Sequence, residues 1–308
     1  MKKKIIIFGC QKITVDIFQF LLKDKNIEIS LIVTYETLSD ISKGQKSLID
    51  IAKKNKIPTL NPNEIDKSLI DNIKKISPDI IISCYYRKIF PSELILIPRL
   101  GIVNIHPSLL PEFRGPVPTA WAILNDKKIT GVTIHKIEKE IDTGDIYAQS
   151  KFKIGKNETG YELHLRSMQE GLYLFKKIFK SLISGKLKTK PQKKGGSYYG
   201  ILKLDTRINW SMSAKYIKNF VRVMALPYSP AYTRLNNKYF FINKCSIYKN
   251  KDYIIKSPGK ILKIYKKNKI VVSCSDGAIL IENYDVYPPL TNLEKKLFLR
   301  EGRLFLKN

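Results

Sequence analysis

Histidine and cysteine are both scarce in this 308-residue chain, with three of the one and four of the other, beside two tryptophans. Cys10, Cys84, Cys245 and Cys274 stand far apart with no CxxC pair, which excludes a disulfide framework or a zinc ribbon and leaves four reduced, mostly buried thiols as the expectation. His106, His135 and His164 form no HxxxH or HExxH pair, and no carboxylate cluster stands at ligand spacing, so no catalytic metal is expected. No apolar run approaches the ~20 residues of a membrane span. The opening MKKKIIIFGC is basic, but its apolar stretch is too short for a secretory leader. No membrane insertion and a cytoplasmic location are therefore expected. Gly9 stands without a GxGxxG, which removes the phosphate-cradling turn of a dinucleotide site, and fits instead a tight strand-to-helix turn. A GxSxG elbow is missing too, so no serine is an obvious nucleophile.

Acids are also few: 27 Asp and Glu against 55 Lys and Arg give a formal charge of +28. Only nine of the 55 are arginine, and a lysine-biased composition coats any surface. The resulting field attracts polyanions in general and does not separate RNA from a nucleotide diphosphate or a polyglutamylated cofactor. With 44% hydrophobic and 27% charged residues the chain has enough apolar material for a sizeable core, which excludes disordered and low-complexity classes. Its length favours two domains over one.

The first 80 residues alternate strand and helix signals: KKKIIIFG, then VDIFQFLLKD, then IEISLIVTY, followed by SLIDIAKKNKIPTL and NPNEIDKSLIDNIKKI. PDIIISCYY is a continuous apolar strand, as suits a parallel sheet covered on both faces. The fold class is α/β, a Rossmann-like mostly parallel sheet. After GIVNIH comes a loop dense in Pro and Gly, then the helix TAWAILNDK. GVTIHKIEKEIDTGDIYAQSKF reads as two strands around a turn at Asp142-Thr143-Gly144-Asp145, and a long amphipathic helix follows. Residues 185–205 read as a linker, and the eight lysines of 176–194, with no acid among them, as a solvated surface or a polyanion-facing strip. Beyond it come the helix SMSAKYIKNFVRVMAL and five short strands, AYTRL, KYFFINKCSIY, GKILKIY, KIVVSCSD and GAILIENYDV, which suggest a small barrel. The boundary is placed near 205, giving domains 1–204 and 205–308.

Asn104 and His106 end an apolar strand just before the Pro-rich loop, and ligands of open α/β sheets bind at the carboxyl ends of strands. A period of two puts both side chains on one face. An amide beside an imidazole suits acyl transfer, one polarising a carbonyl oxygen and the other handling a proton. A buried histidine bonded to backbone is the competing explanation. His135 points away from the Val132 and Ile134 face and is read as structural, and His164 as a surface residue. Trp121 and Trp210 are read as core anchors.

Asn104-x-His106-x-Ser108-Leu109-Leu110-Pro111-x-x-Arg114-Gly115, then Gly131-Val132-Thr133, then Ile141-Asp142-Thr143-Gly144-Asp145, resembles the folate-dependent formyltransferase family, which includes glycinamide ribonucleotide, methionyl-tRNA and sugar N-formyltransferases. Weaker likenesses in Asn209-Trp210-Ser211, Pro258-Gly259, Asp276-Gly277 and Gly302-Arg303-Leu304 extend it over almost the whole chain. The strand-rich tail resembles an OB-like domain. The resemblance implies a catalytic trio of Asn104, His106 and Asp142, with N10-formyltetrahydrofolate as co-substrate and no metal. Asp142 in a simple capped turn is the alternative, and Asp145 the turn residue. The implied folate cleft is lined by Tyr86, Arg87, Ile89, Glu140 and Ile141, with Lys88 and Lys139 beside them. Ser108 and Arg114 are candidates for substrate contact, a guanidinium matching phosphate or carboxylate.

The acceptor amine stays open between two partners, a small-molecule nucleotide-linked amino sugar and initiator methionyl-tRNA. Methionyl-tRNA formyltransferases carry a basic Pro/Arg/Gly-rich loop after the second strand, whereas residues 34–44 here lack Arg and Pro and contain two acids. Tyr85-Tyr86-Arg87 resembles the 4-amino-arabinose formyltransferase domain. Both features favour the sugar, while the basic surface and the tail keep the tRNA reading in view. A catalytically silent binding relative is the third reading, against which the intact trio argues. A homodimer through the tail is compatible with the sequence.

Overall fold

A computed structural model describes residues 1–35, 47–202, 205–249, 257–266 and 269–305. The chain divides into two compact units, one of Met1–Pro118, Ile129–Lys153 and Leu165–Ile201, the other of Thr119–Lys128, Ile154–His164 and Leu202–Asn308.

The first unit is built on seven strands: β1 (Lys3–Gly9), β2 (Ile27–Val33), β3 (Thr59–Leu60), β4 (Ile80–Cys84), β5 (Ile102–His106), β6 (Ile129–Lys136) and β7 (Ile146–Lys153). They lie in the order β3-β2-β1-β4-β5-β6-β7, parallel from β3 to β5 and antiparallel for β6 and β7. The helices of this part of the chain are α1 (Gln11–Leu21), α2 (Leu48–Lys54), α3 (Lys67–Ile76), α4 (Ser92–Ile95), α5 (Pro118–Leu124) and α6 (Gly160–Ile183). Ile5 and Ile7 of β1 join a core with Phe18 of α1 and Phe175 and Phe179 of α6, while Ile6 and Phe8 join another with Leu69, Ile70 and Ile73 of α3. Covering both faces is what makes β1 and β4 read as unbroken apolar runs. Strand order reverses between β1 and β4, so the crevice beyond their carboxyl ends is the place where such sheets receive ligands. Gly9 ends β1 there. Its backbone is unstrained, and a Cβ would come 2.6 Å from Thr14 Oγ1 and 2.5 Å from the Cys84 carbonyl, so close packing rather than a special turn requires glycine.

The second unit holds α7 (Ala214–Val223), β8 (Ala231–Leu235), β9 (Lys238–Ile247), β10 (Ile261–Tyr265), β11 (Lys269–Ser273), β12 (Ala278–Tyr287) and α8 (Asn292–Phe298). The five expected strands form one antiparallel sheet in the order β10-β11-β12-β9-β8. Among the described residues β8 and β10 are its two edges, lined by bridges from Arg207 to Tyr232 and from Leu304 to Lys260, so both edges are covered. Trp210 is a core anchor: it is buried, donates to Thr233 Oγ1 at 2.9 Å and stacks on Phe305. Trp121 is half-buried. All four cysteines are buried free thiols. Among the described residues no helix is long and apolar enough to cross a membrane.

Candidate active site

Antiparallel pairing of β5 with β6 sets Asn104 opposite His135 and His106 opposite Thr133. Asn104 Nδ2 lies 3.2 Å from His135 Nε2, and His135 Nδ1 lies 2.7 Å from the Lys136 carbonyl oxygen. A carbonyl oxygen only accepts, so the His135 proton sits on Nδ1 and Nε2 accepts from the Asn104 amide. The His135 ring is 1% exposed, and burial pushes its pKa down, which keeps it neutral.

His106 is held differently. It is 5% exposed, its Nε2 donates to the Phe113 carbonyl at 2.9 Å, and its Nδ1 faces Asp142 Oδ2 at 3.5 Å. The other Asp142 oxygen lies 3.6 Å from His135 Nε2, and Oδ2 also accepts from the Gly115 backbone N–H at 2.9 Å. Asp142 thus spans two imidazoles from the turn between β6 and β7, at a left-handed φ of 55°. Thr133 fixes the intervening loop, its hydroxyl donating to the Ser108 carbonyl at 2.7 Å and accepting from Leu110 N at 3.1 Å. The structure therefore brings Asn104, His106 and Asp142 into one cluster.

The remaining expected residues separate into three groups. Ser108 is wholly buried with its hydroxyl donating to the Glu112 carbonyl at 2.6 Å, a bond within the loop itself. Arg87, Ile89, Glu140 and Ile141 are exposed, in contrast to the buried His106 and His135. Tyr86 is half-buried, its ring packed edge-on against Phe8 at 5.1 Å and near Tyr35 and Phe90. Burial pushes its phenol up to about 12. The buried hydroxyls of Thr34, Ser83 and Tyr86 have no hydrogen-bond partner among the described residues. The contrast drawn for residues 34–44 lies, beyond Tyr35, outside the described residues.

Two features escaped the sequence reading. His135 was placed on the correct side of its strand, but only the β5–β6 register makes it a neighbour of Asn104. The segment read as a linker is a strap laid on the site. Lys190 exchanges backbone hydrogen bonds with Ile146 at 2.8 and 2.9 Å, and Arg114 does so with Ser197 and Tyr199 at 2.8 and 3.0 Å. Between these ties Gln192 accepts from Arg114 Nε and Nη2 at 3.3 and 2.8 Å and donates to the carbonyls of Asp142 and Gly144 at 2.8 and 2.9 Å. Gly115 and Gly196 have φ of 91° and 98°, and a Cβ on either would collide with the backbone of the facing strand of this junction. Among the described residues no group of His, Cys, Asp and Glu is arranged to hold a metal ion.

The family described as formyl transferase matches residues 3–176, and its C-terminal domain matches residues 201–286. The chain belongs to the formyl transferase family. The methionyl-tRNA formyltransferase of Clostridium tetani is 31% identical over 289 residues, 91% of this chain and 90% of that relative. The bifunctional polymyxin resistance protein ArnA of Wigglesworthia glossinidia brevipalpis is 33% identical over 264 residues, 83% of this chain. This formyl transferase spans only 39% of that longer relative. Among solved structures, WlaRD, a sugar 3N-formyl transferase crystallised in the presence of dTDP and 5-N-formyl-THF, matches with a TM-score of 0.69 and 25% identity, covering 94% of this chain and 100% of its own. The family expected from the Asn104 to Asp145 motifs and the α/β fold class expected from the strand and helix pattern both hold.

Proposed function

We propose that this formyl transferase moves a formyl group from N10-formyltetrahydrofolate to the primary amine of a nucleotide-linked amino sugar. The observation that carries the chemistry is the convergence of Asn104, His106 and Asp142, with the Asp142 carboxylate 3.5 Å from His106 Nδ1. When bound, the donor supplies an electrophilic formyl carbon whose oxygen gains negative charge as the amine attacks.

The residues divide that work. An amide nitrogen carries two N–H groups, and His135 holds one of them on Asn104, which fixes the plane of the carboxamide. The other N–H is then preorganised for the developing oxyanion, an interaction worth ~10²- to 10³-fold in rate. His106, with Nε2 tied to Phe113, turns Nδ1 toward Asp142, and when it carries a proton that nitrogen supports the same oxyanion. Asp142 accepts the proton released by the attacking amine, directly or through a water, and returns it to the donor nitrogen as the bond from that nitrogen to the formyl carbon breaks and tetrahydrofolate leaves, a role worth ~10²- to 10⁴-fold.

Tyr86, Arg87, Ile89, Glu140 and Ile141 are proposed to line the folate cleft. The aromatic surface of Tyr86 and the hydroxyls of Thr34, Ser83 and Tyr86, which have no partner among the described residues, support this, because a planar heteroaromatic ring uses both a stacking face and hydrogen-bonding edges. Arg114, whose guanidinium is oriented by Gln192, is proposed to meet an anionic group of the substrate. The functional domains are proposed as 1–204 and 205–308.

The sugar reading is supported by Tyr85-Tyr86-Arg87 and by the likeness to WlaRD over that whole chain. The second reading, initiator methionyl-tRNA, is favoured by the Clostridium tetani relative, which this chain matches over 90% of its length. The deciding experiment incubates the protein and N10-formyltetrahydrofolate separately with amino-sugar nucleotides and with charged initiator tRNA. Formylation of the sugar is expected. Formylation of the tRNA alone would replace the proposed acceptor, and transfer to neither would point to glycinamide ribonucleotide, another small amine or a silent relative.

A further inference from the structure

We propose that Gln192 is a positioning residue for this reaction, a bracket that sets the Asp142 loop against the loop carrying Arg114 and the His106 partner Phe113. The inference rests on formyl transfer at Asn104, His106 and Asp142, and adds a residue from outside the motifs that identified that site.

A carboxamide has two acceptor sites on oxygen and two N–H donors. Gln192 uses all four: Oε1 takes Arg114 Nε and Nη2, and Nε2 gives to the carbonyls of Asp142 and Gly144. Asparagine is one methylene too short to span the same gap, and glutamate keeps the acceptors while losing both donors. The strap reaches the other half of the site as well. Ser197 Oγ accepts from Phe113 N at 2.9 Å, and Phe113 supplies the carbonyl that holds His106 Nε2. The partners of His106 and the carbonyl of Asp142 are therefore fastened to one segment of ten residues or so.

This matters because the Asp142–His106 pair is not held by a bond of its own. At 3.5 Å its separation is set by where the two loops sit. Asp142 also adopts a left-handed φ of 55°, a conformation disfavoured for a residue with a Cβ, and its carbonyl is one of the two that Gln192 grips. Arg114 is oriented by the opposite end of the same side chain, so substrate contact and proton transfer share one support.

The test is single-turnover and steady-state formyl transfer by the full chain, with N10-formyltetrahydrofolate and whichever amine it accepts. Gln192→Glu retains the Arg114 acceptor and turns an anionic oxygen on two carbonyls, so kcat is expected to fall about 10²-fold, the scale of a 1 Å misplacement, with KM for the amine unchanged. Gln192→Met keeps side-chain length and removes every bond, so kcat falls and KM for the amine rises; it also carries the test if the glutamate variant misfolds by near-ultraviolet circular dichroism. In an Asp142→Asn background neither variant should lower kcat further, because the loss acts through Asp142, whereas a general weakening of the fold would multiply the two losses. Wild-type kcat in either variant, or the same fractional loss with and without Asp142, overturns the proposal. A His106→Ala protein with unimpaired transfer would strike the site itself, while an inactive His106→Ala beside a fully active Gln192→Glu strikes only the bracket.

Discussion

His135→Leu is the sharpest perturbation of the cluster, because it leaves the proposed catalytic side chains in place and removes the imidazole that holds Asn104 and faces one oxygen of Asp142. The substitution deletes the 3.2 Å bond from Asn104 Nδ2 and the 2.7 Å bond to the Lys136 carbonyl. Each buried group left without a partner costs about 1–3 kcal/mol, and burial of leucine in place of imidazole returns part of this, for a net loss of roughly 2 kcal/mol. With one N–H no longer held, the Asn104 amide can rotate away from the oxyanion, and kcat should fall by about 10- to 100-fold, a part of what an oxyanion donor supplies. His135→Gln, whose Oε1 can accept from Asn104, should recover most of that. The pH dependence gives a second reading. Burial depresses the folded pKa of His135 below its ordinary value near ~6.5, so its neutral form contributes stability above that pH, and the contribution is lost as pH falls and the unfolded chain takes up the proton. Leucine has nothing to titrate. The gap in urea stability between wild type and His135→Leu should therefore narrow on the order of 1 kcal/mol between pH 7.5 and pH 5.5. An unchanged kcat in His135→Leu, or a stability gap that does not narrow, would refute the reasoning.

Two further outcomes follow from single positions. Gly196→Ala places a Cβ against the Pro111 carbonyl at a φ of 98°, so urea unfolding should show a loss of roughly 1–3 kcal/mol, and a neutral result would mean that the strap is not held as described. Tyr86→Phe removes a hydroxyl with no partner among the described residues, so stability should hold or rise while KM for N10-formyltetrahydrofolate rises; an unchanged KM would take Tyr86 out of the proposed folate cleft.

Much of this was legible in the sequence, for reasons that can be named. PDIIISCYY announced a strand buried on both faces because β4 is covered on both sides. The five C-terminal strands were readable from apolar runs between turns, and a period of two was enough to put Asn104 beside His106. Asp142 needed the family resemblance, since an Asp-Thr-Gly-Asp turn gives no sign of which side chain it faces. His135 needed the register of β6 on β5, a long-range pairing that no local pattern encodes. Residues 185–205 misled because Gly, Pro and Lys are the composition of a solvated linker; here Gly196 makes room for Pro111, and Gln192 and Ser197 are spent on the site.

The most direct measurement is the rate of formyl transfer from N10-formyltetrahydrofolate by His106→Ala, with an amino-sugar nucleotide as acceptor and folding checked by circular dichroism. The expected result is a folded protein whose kcat has fallen by at least ~10²-fold, the contribution of one positioned acid or oxyanion donor. Turnover at the wild-type rate would contradict the assignment of this cluster as the catalytic centre.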